Sequence, residues 1–224
     1  MISTYLLPTS TRTFKMKISF VCLTLFATVD AFVPAVSPSP TSVTSSSCLF
    51  STGIFYSTVG GDTGRCANLI GDAAGLTSSE IENVSVADVM KHDSLIVGSP
   101  TWNTGADTER SMTAWDQWLY EELPKLDLKG KKLAIFGVGD QMGYTFNYCD
   151  AVGELYDTFS ARGINASFGR TLMDGYAAVE SKAKVEDEDK WYGCLFDEVS
   201  QEDQSEDRAN KWVAQLKEEG FFSE

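Results

Sequence analysis

Histidine, cationic charge and paired cysteines are what this chain has least of. A single histidine, His92, argues against a His-based catalytic triad or a multi-His metal site. The 18 Lys and Arg face 32 Asp and Glu, for a net charge of −14. The clustered cationic surface that phosphate backbones require is therefore missing, and nucleic acid is excluded as a partner. Basic proteins stay open as partners. The five cysteines, at 22, 48, 66, 149 and 194, contain no Cys-x-x-Cys pair, which argues against zinc and iron–sulfur ligation. Glycine is absent from residues 1–52, a stretch that holds four of the six prolines, whereas all 18 glycines lie from Gly53 onward. Two compositional regimes thus meet near residue 52. The whole has 224 residues, 43% of them hydrophobic, which suffices for one sizeable core in one soluble, acidic domain.

The first regime reads as targeting sequence. Arg12, Lys15 and Lys17 precede an apolar run from Ile18 to Val29, and Val29-Asp30-Ala31 offers small residues for a signal-peptidase cut after Ala31. The run is 12 residues long, well short of the roughly 20 that span a bilayer, so no membrane span is expected in the mature protein. Phe32-Val33-Pro34-Ala35 follows, and then Ser37 to Ser47, where eight of eleven residues are Ser or Thr and none is charged. Such a stretch cannot bury enough apolar surface to order itself. This arrangement resembles the two-part presequence of algae with complex plastids. It implies a signal peptide over 1–31, a disordered transit peptide over 32–51, a mature domain over 52–224 and delivery to the chloroplast stroma. Plain secretion is the alternative. Against it, the three cysteines left after the cut are an odd number and widely spaced, suiting reduced thiols better than a disulfide framework. The cut removes three basic residues and one acid, taking the net charge to −16.

The second regime alternates strand and helix patterns. Ile54–Tyr56 reads as a strand, Gly60-Gly61-Asp62 as a break, and 63–74 as a helix. Ile81–Val84 is a weak second strand, Ser94–Gly98 a strong third, Lys132–Val138 a strong fourth and Ala166–Leu172 a fifth. Continuous apolar runs of this kind mark strands buried on both faces. Met112, Trp115, Trp118, Leu119 and Leu123 recur at helical spacing, as do Ala151, Leu155, Tyr156 and Phe159, and a last helix covers about Ser205 to Glu219. The pattern predicts an α/β fold with a doubly wound parallel sheet, in which ligands lie beyond the carboxyl ends of the strands.

Three loops stand at that edge. Ser57-Thr58-Val59-Gly60-Gly61-Asp62-Thr63-Gly64 combines hydroxyls with the free amides of a glycine turn at a helix amino terminus, which can cradle a phosphate without a cation. No Gly-Lys-Ser/Thr closes it, so it is not the nucleotide P-loop. Ser99-Pro100-Thr101-Trp102-Asn103-Thr104-Gly105 and Gly137-Val138-Gly139-Asp140-Gln141-Met142-Gly143-Tyr144 each set one aromatic among small polar groups. Together they can sandwich a flat ring; singly, either aromatic reads equally well as a core plug.

At these residues the chain resembles the flavodoxins of the long-chain type found in algae and cyanobacteria. The specific segments are 99–110, Ser-Pro-Thr-Trp-Asn-Thr-Gly-Ala-Asp-Thr-Glu-Arg, and 139–151, Gly-Asp-Gln-Met-Gly-Tyr-Thr-Phe-Asn-Tyr-Cys-Asp-Ala. The resemblance implies a five-stranded sheet in the order 2-1-3-4-5 with FMN at the β1/β3 switch point, an arrangement for which flavodoxin is itself a standard example. It implies a phosphate loop over Ser57, Thr58, Val59, Gly60, Gly61, Asp62 and Thr63, and an inner aromatic at Trp102 within Pro100, Thr101, Asn103, Thr104 and Gly105. It further implies a ring-stacking outer aromatic at Tyr144, polar contacts to the flavin N5 edge from Asn103 and Asp140, and further contacts at Gly139, Asn147 and Cys149. The family usually carries Thr where Gly60 stands and Asn where Asp62 stands. This chain thus loses a hydroxyl donor and sets a carboxylate beside the phosphate, Asp62 doubling as an expected helix cap. Residues between about Asp174 and Glu198 fit the segment that splits the last strand in long-chain members, with Glu186–Asp189 as a solvated acidic run. By residue type alone, Trp115, Trp118, Trp191 and Trp212 read as core or rim packing, His92 as surface, and Cys66, Cys149 and Cys194 as small packing residues.

The function implied is that of a monomeric low-potential one-electron carrier, an electron-transfer flavoprotein and not an enzyme. By resemblance its partners are photosystem I and ferredoxin–NADP reductase, alongside other basic-faced redox proteins. In the family a peptide flip, here at Asn103-Thr104, stabilises the half-reduced flavin. Fully reduced flavin is an anion, and the strand-end loops offer it no Lys or Arg. One carboxylate at ~10 Å opposes it by roughly 0.4–1.7 kcal/mol, so several acids lower the potential of the last electron. The competing functions are a flavodoxin-like NAD(P)H:quinone oxidoreductase, for which no nicotinamide pocket is evident, and a flavin-free interaction protein, which rests on Gly60 and Asp62.

Overall fold

Successive residues of a strand point to opposite faces of its sheet, and here both sets are apolar and both are covered. The computed structural model describes residues 51–102, 111–178 and 180–222, all within the compact unit 46–224. Its main sheet comprises β1 (Thr52–Tyr56), β2 (Ser78–Glu80), β3 (Ser94–Pro100), β4 (Lys132–Gly139) and β7 (Cys194–Asp197), all parallel, in the order β2-β1-β3-β4-β7. Ile54, Ile96, Ala134 and Phe136 face one layer, where they pack with Cys66, Ala67 and Ile70 of α1 (Asp62–Ala74) and with Trp212, Val213 and Leu216 of α5 (Ser205–Glu218). Phe55, Leu95, Val97, Leu133 and Ile135 face the other, with Val89 of α2 (Val86–Met90), Trp115 of α3 (Trp115–Gln117), and Val152, Leu155 and Phe159 of α4 (Asp150–Ser160). The register Ile54↔Ile96↔Ala134 keeps each layer continuous across three strands. Among the described residues, no helix is long and apolar enough to cross a membrane.

Three expectations shift in detail. The second strand is the polar, half-buried Ser78–Glu80, and Ile81–Asn83 forms a 3-10 turn instead; an edge strand needs backbone pairing more than apolar side chains. Met112, read as inward-facing, is 81% exposed with φ 51°, because the helix begins only after it. That helix passes from α3 into a π turn at Trp118–Glu122 and a 3-10 turn at Leu123–Lys125.

The fifth position of the sheet goes to Cys194–Asp197 and not to Ala166–Leu172. Asn165 pairs alone with the start of β4, its carbonyl accepting from Leu133 N–H at 2.8 Å. The chain then turns away at Gly169 (φ 70°), whose carbonyl accepts from the Trp212 indole at 2.7 Å. Thr171–Leu172 (β5) pairs antiparallel with Lys190–Trp191 (β6) before the strand resumes as β7. An inserted segment thus splits the last strand, but it ends before Cys194; the resemblance had extended it to about Glu198, over the residues that form β7. Inside it, Glu188 pairs with Arg170 and Lys190, and Asp189 lies 3.9 Å from Lys184, so half of the acidic run is neutralised locally.

Trp115, Trp118, Trp191 and Trp212 are buried as expected. Cys66, Cys149 and Cys194 are free and buried. Desolvation pushes all three thiols up, Cys66 to about 12, so they stay protonated and unreactive. His92, expected at the surface, is half-buried with its ring edge-on to Phe55 at 5.6 Å. Desolvation, then the charges of Lys131 and Lys91, outweigh Asp93 and Asp88 and lower its pKa from 6.5. Below pH 6.5 the unfolded chain therefore takes up a proton that the folded chain resists. This contribution to stability is complete above 6.5 and is lost as pH falls through that value toward the lower folded pKa. Urea denaturation at pH 7.5 and 5.5 should show a loss of stability at the lower pH, and His92→Gln should reduce the difference.

Candidate functional site

The turn after β1 is built by its glycines. Gly60 and Gly61 hold φ of 90° and 105°, and a Cβ at either would meet nothing within 4 Å, so it is the backbone angle that demands glycine. Thr58 Oγ1 accepts from the Gly61 N–H at 3.1 Å and closes the turn. Arg65 makes the first intrahelical bond of α1, to Gly61 O at 3.0 Å, leaving the amides of residues 62–64 without helical acceptors. Gly61 is the capping residue and has no side chain to satisfy them. Asp62, expected as the cap, is instead the first helical residue, because the left-handed angle at the boundary falls to glycine. The outcome is an array of free amides, an anion cradle.

Beside it opens a cleft of about 150 Å³ lined by Val59, Asp62 and Thr63, by Pro100 and Thr101, and by Val138, Gly139, Asp140 and Tyr144, with Glu198 and Val199 from a fourth loop after β7. The three expected loops therefore converge. Thr101 seals the floor, its N–H and Oγ1 both donating to Val138 O at 2.9 and 3.1 Å. A Cβ at Gly139 would lie 2.5 Å from Thr101 Oγ1 and 3.1 Å from Cys149 Sγ, so the floor closes only with glycine there. Tyr144 stands 57% exposed at the rim. Asp140 shapes the turn below it: its Oδ1 accepts from Met142 N–H at 3.0 Å and Gly143 N–H at 2.8 Å, and its carbonyl from Tyr144 N–H at 2.9 Å.

Other expected site residues lie elsewhere. Ser57 and Thr58 line a neighbouring cavity of about 110 Å³ with Glu80, Met112 and Thr113. There Ser57 Oγ accepts from Thr113 Oγ1 at 3.0 Å, which in turn lies 2.7 Å from Ser111 Oγ. Trp102 is 5% exposed, belongs to the core cluster on one face of the sheet and is not among the described residues that line the cleft. Cys149 lies under the floor at φ 53° and is 1% exposed. Asn147 donates to Asp150 Oδ2 at 3.1 Å and lines a separate cavity of about 220 Å³ with Phe146, Glu180 and Lys182. Asn103, Thr104, Gly105 and the peptide proposed to flip lie outside the described residues.

Sequence reading missed the fourth loop. Glu198 has a side chain only 2% exposed; it pairs with Arg65 and accepts from Ser205 Oγ, while Arg65 also reaches Glu202 at 3.4 Å. Arg65, the cation next to the cradle among the described residues, is thereby committed to carboxylates. The only signal in the sequence was acids, Asp197-Glu198, ending the apolar run Cys194-Leu195-Phe196.

Comparison with known proteins places this architecture. The family model described as Flavodoxin matches residues 54–212. A flavodoxin of Nostoc sp. is 39% identical over 170 residues, covering 75% of this chain and 95% of that protein. A flavodoxin of Synechococcus elongatus is 36% identical over 171 residues, covering 75% and 96%. Among solved structures, Fusobacterium nucleatum flavodoxin bound to flavin mononucleotide superimposes with a TM-score of 0.66 at 26% identity, covering 75% of this chain and 97% of that one.

Proposed function

The chain belongs to the flavodoxin family, and from that premise we propose that its strand-end cleft binds one FMN per chain, noncovalently, and that the protein carries electrons without being an enzyme. The observation that carries this reading is the meeting of two unlike subsites: a cradle of free amides at Asp62, Thr63 and Gly64, and a slot between glycine-floored backbone and the exposed ring of Tyr144. A phosphate fits the first by hydrogen bonding to amides and to Thr63, and a planar ring fits the second. FMN bound there supplies low-potential one-electron transfer, while the protein supplies binding, orientation and electrostatics. Asp62, Asp140 and Glu198 line the cleft, with Arg65 turned to Glu198 and Glu202. Added negative charge at the ring is accordingly disfavoured. The relatives compared are named flavodoxins, which favours the carrier over the two-electron quinone reductase. Purified protein should be yellow with one FMN per chain; colourless protein that cannot be reconstituted would reject the reading.

Asp62 stands at the mouth of the cradle and caps nothing. Asp62→Asn removes like charge near the phosphate and should tighten FMN several-fold, in line with roughly 1 kcal/mol for a partly screened charge pair. Calorimetry showing no gain would mean that the carboxylate points away from the phosphate.

The finer assignments follow from sequence. Residues 1–31 act as a signal peptide and 32–51 as a transit peptide delivering the 52–224 domain, as a monomer, to the plastid stroma; the apolar run, Ala31-Phe32-Val33-Pro34 and the Ser/Thr-rich stretch support this. A fluorescent fusion of residues 1–51 tests it. There the carrier serves photosystem I and ferredoxin–NADP reductase, and a mature charge of −16 suits basic docking faces. Because such attraction acts mainly on encounter, electron transfer to a plastid-type reductase should slow as salt rises and the Debye length shrinks from about 10 Å at 0.1 M to about 3 Å at 1 M. A flat stopped-flow rate would reject steering. Neutralising Glu186–Asp189 takes the mature charge from −16 to −12 and should weaken the salt slope only if the inserted segment faces the partner.

A further inference from the structure

The ring-side wall of the cleft is a turn whose own hydrogen bonds cannot fix its place. Asp140 bonds to Met142, Gly143 and Tyr144, all inside the turn. Gln141, 2% exposed, is different. Its backbone N–H donates to Asp197 Oδ2 at 3.4 Å, and its side-chain amide helps to keep that carboxyl ionised. Its Oε1 accepts from Ala177 N–H at 2.6 Å, and its carbonyl from Thr145 Oγ1 at 3.1 Å. Asp197, fully buried at the end of β7, is itself held by Val199 N–H at 3.0 Å, Ser200 N–H at 2.9 Å and Ser200 Oγ. Burial alone would raise its pKa, but these donors outweigh it and keep the carboxyl below the usual range, an anion whose oxygens are fully used.

We propose that Gln141 is a positioning residue, joining the Asp140–Tyr144 turn to the end of β7 on one side and to the inserted segment at Ala177 on the other, so that the ring-side wall stands formed before flavin arrives. The inserted segment thereby acquires a role at the cleft without touching it: through Ala177, and through Glu180 N–H to Thr145 O at 3.3 Å, it braces the turn that carries Tyr144. Preordering a wall removes an entropic cost of binding, and it acts on the ring subsite alone, since the amide cradle sits on a different loop.

The inference rests on the FMN reading, and its test separates the two. Gln141→Met keeps length and loses the side chain's hydrogen bond to Ala177 and its polar contact with Asp197, while the backbone bonds to Asp197 and Thr145 remain. In the flavin-free variant, amide exchange at residues 142–144 should quicken about tenfold over wild type while α1 amides are unchanged. Riboflavin and FMN should each bind about tenfold more weakly, whereas inorganic phosphate, measured by competition with FMN, should keep its affinity. Should Gln141→Met fail to fold, Gln141→Glu carries the same test, because it retains the acceptor for Ala177 and sets a second carboxylate against Asp197. Unchanged exchange, or phosphate and riboflavin weakened alike, would overturn the proposal. Wild-type protein that binds no flavin would overturn the FMN reading, and the exchange rates would still decide whether Gln141 positions the turn.

Discussion

Trp115→Ala will lower the unfolding free energy by about 3–5 kcal/mol, the range for emptying a large aromatic from a packed core. Trp115 is 1% exposed, meets Trp118 and Phe159 edge-on at 6.4 and 6.1 Å, and donates its indole N–H to Gly98 O at 2.9 Å. That carbonyl also accepts from Ser57 N–H at 3.2 Å. One side chain thus ties the helix beyond β3 to the strand end from which the cradle departs. The loss has two parts, a cavity and an unsatisfied share of a buried acceptor, and Trp115→Phe separates them by retaining most of the volume. For a domain of this size the alanine variant should melt about 6–20 °C lower, at 2–4 °C per kcal/mol. A drop under about 1 kcal/mol in urea titration would mean that the helix is not packed as described.

Tyr144→Ala will weaken FMN about 5- to 150-fold, the equivalent of roughly 1–3 kcal/mol of lost aromatic packing, and will leave the flavin-free protein as stable as wild type within about 0.5 kcal/mol. The two halves follow from one fact. Tyr144 is 57% exposed and lines the cleft, so its ring has little to lose in the empty protein and a partner only when a flat ligand lies against it. Flavin-fluorescence titration reads the first half and urea denaturation the second. Unchanged affinity would place the ring elsewhere, and a large loss of stability would make Tyr144 a packing residue.

The two aromatics show where sequence reading stops. Trp102 and Tyr144 look alike in sequence, each an aromatic among glycines and small polar residues after a strong strand, and each admitted both a stacking and a packing role. Tyr144 stands at the rim while Trp102 is enclosed in the core. Neighbouring residues carry no mark of this, because the difference lies in what α3 and α4 place beneath the sheet. Gly60 and Gly61 were legible for the opposite reason: a positive φ is a property of the residue itself, and two adjacent glycines before a helical pattern announce it.

The same division runs through the fold. Continuous apolar runs and 3.6-residue spacing determined the alternation of strands and helices, the parallel sheet and the edge on which a ligand lies, since these patterns depend on residues close together in the chain. Which segment fills the fifth place in the sheet was not local. Ala166–Leu172 has the apolar content of a strand, but Gly169 O is claimed by Trp212 and the chain leaves β4 after Asn165, so Cys194–Asp197 takes the place. That choice brings Asp197 beneath the cleft and Glu198 to its edge, where the one joins Gln141 and the other Arg65. Sequence alone determined that a phosphate turn and two aromatic loops would meet at one strand edge. Only the tertiary structure decided which aromatic faces the cleft and which carboxylates surround it, because those outcomes depend on competition among partners tens of residues apart.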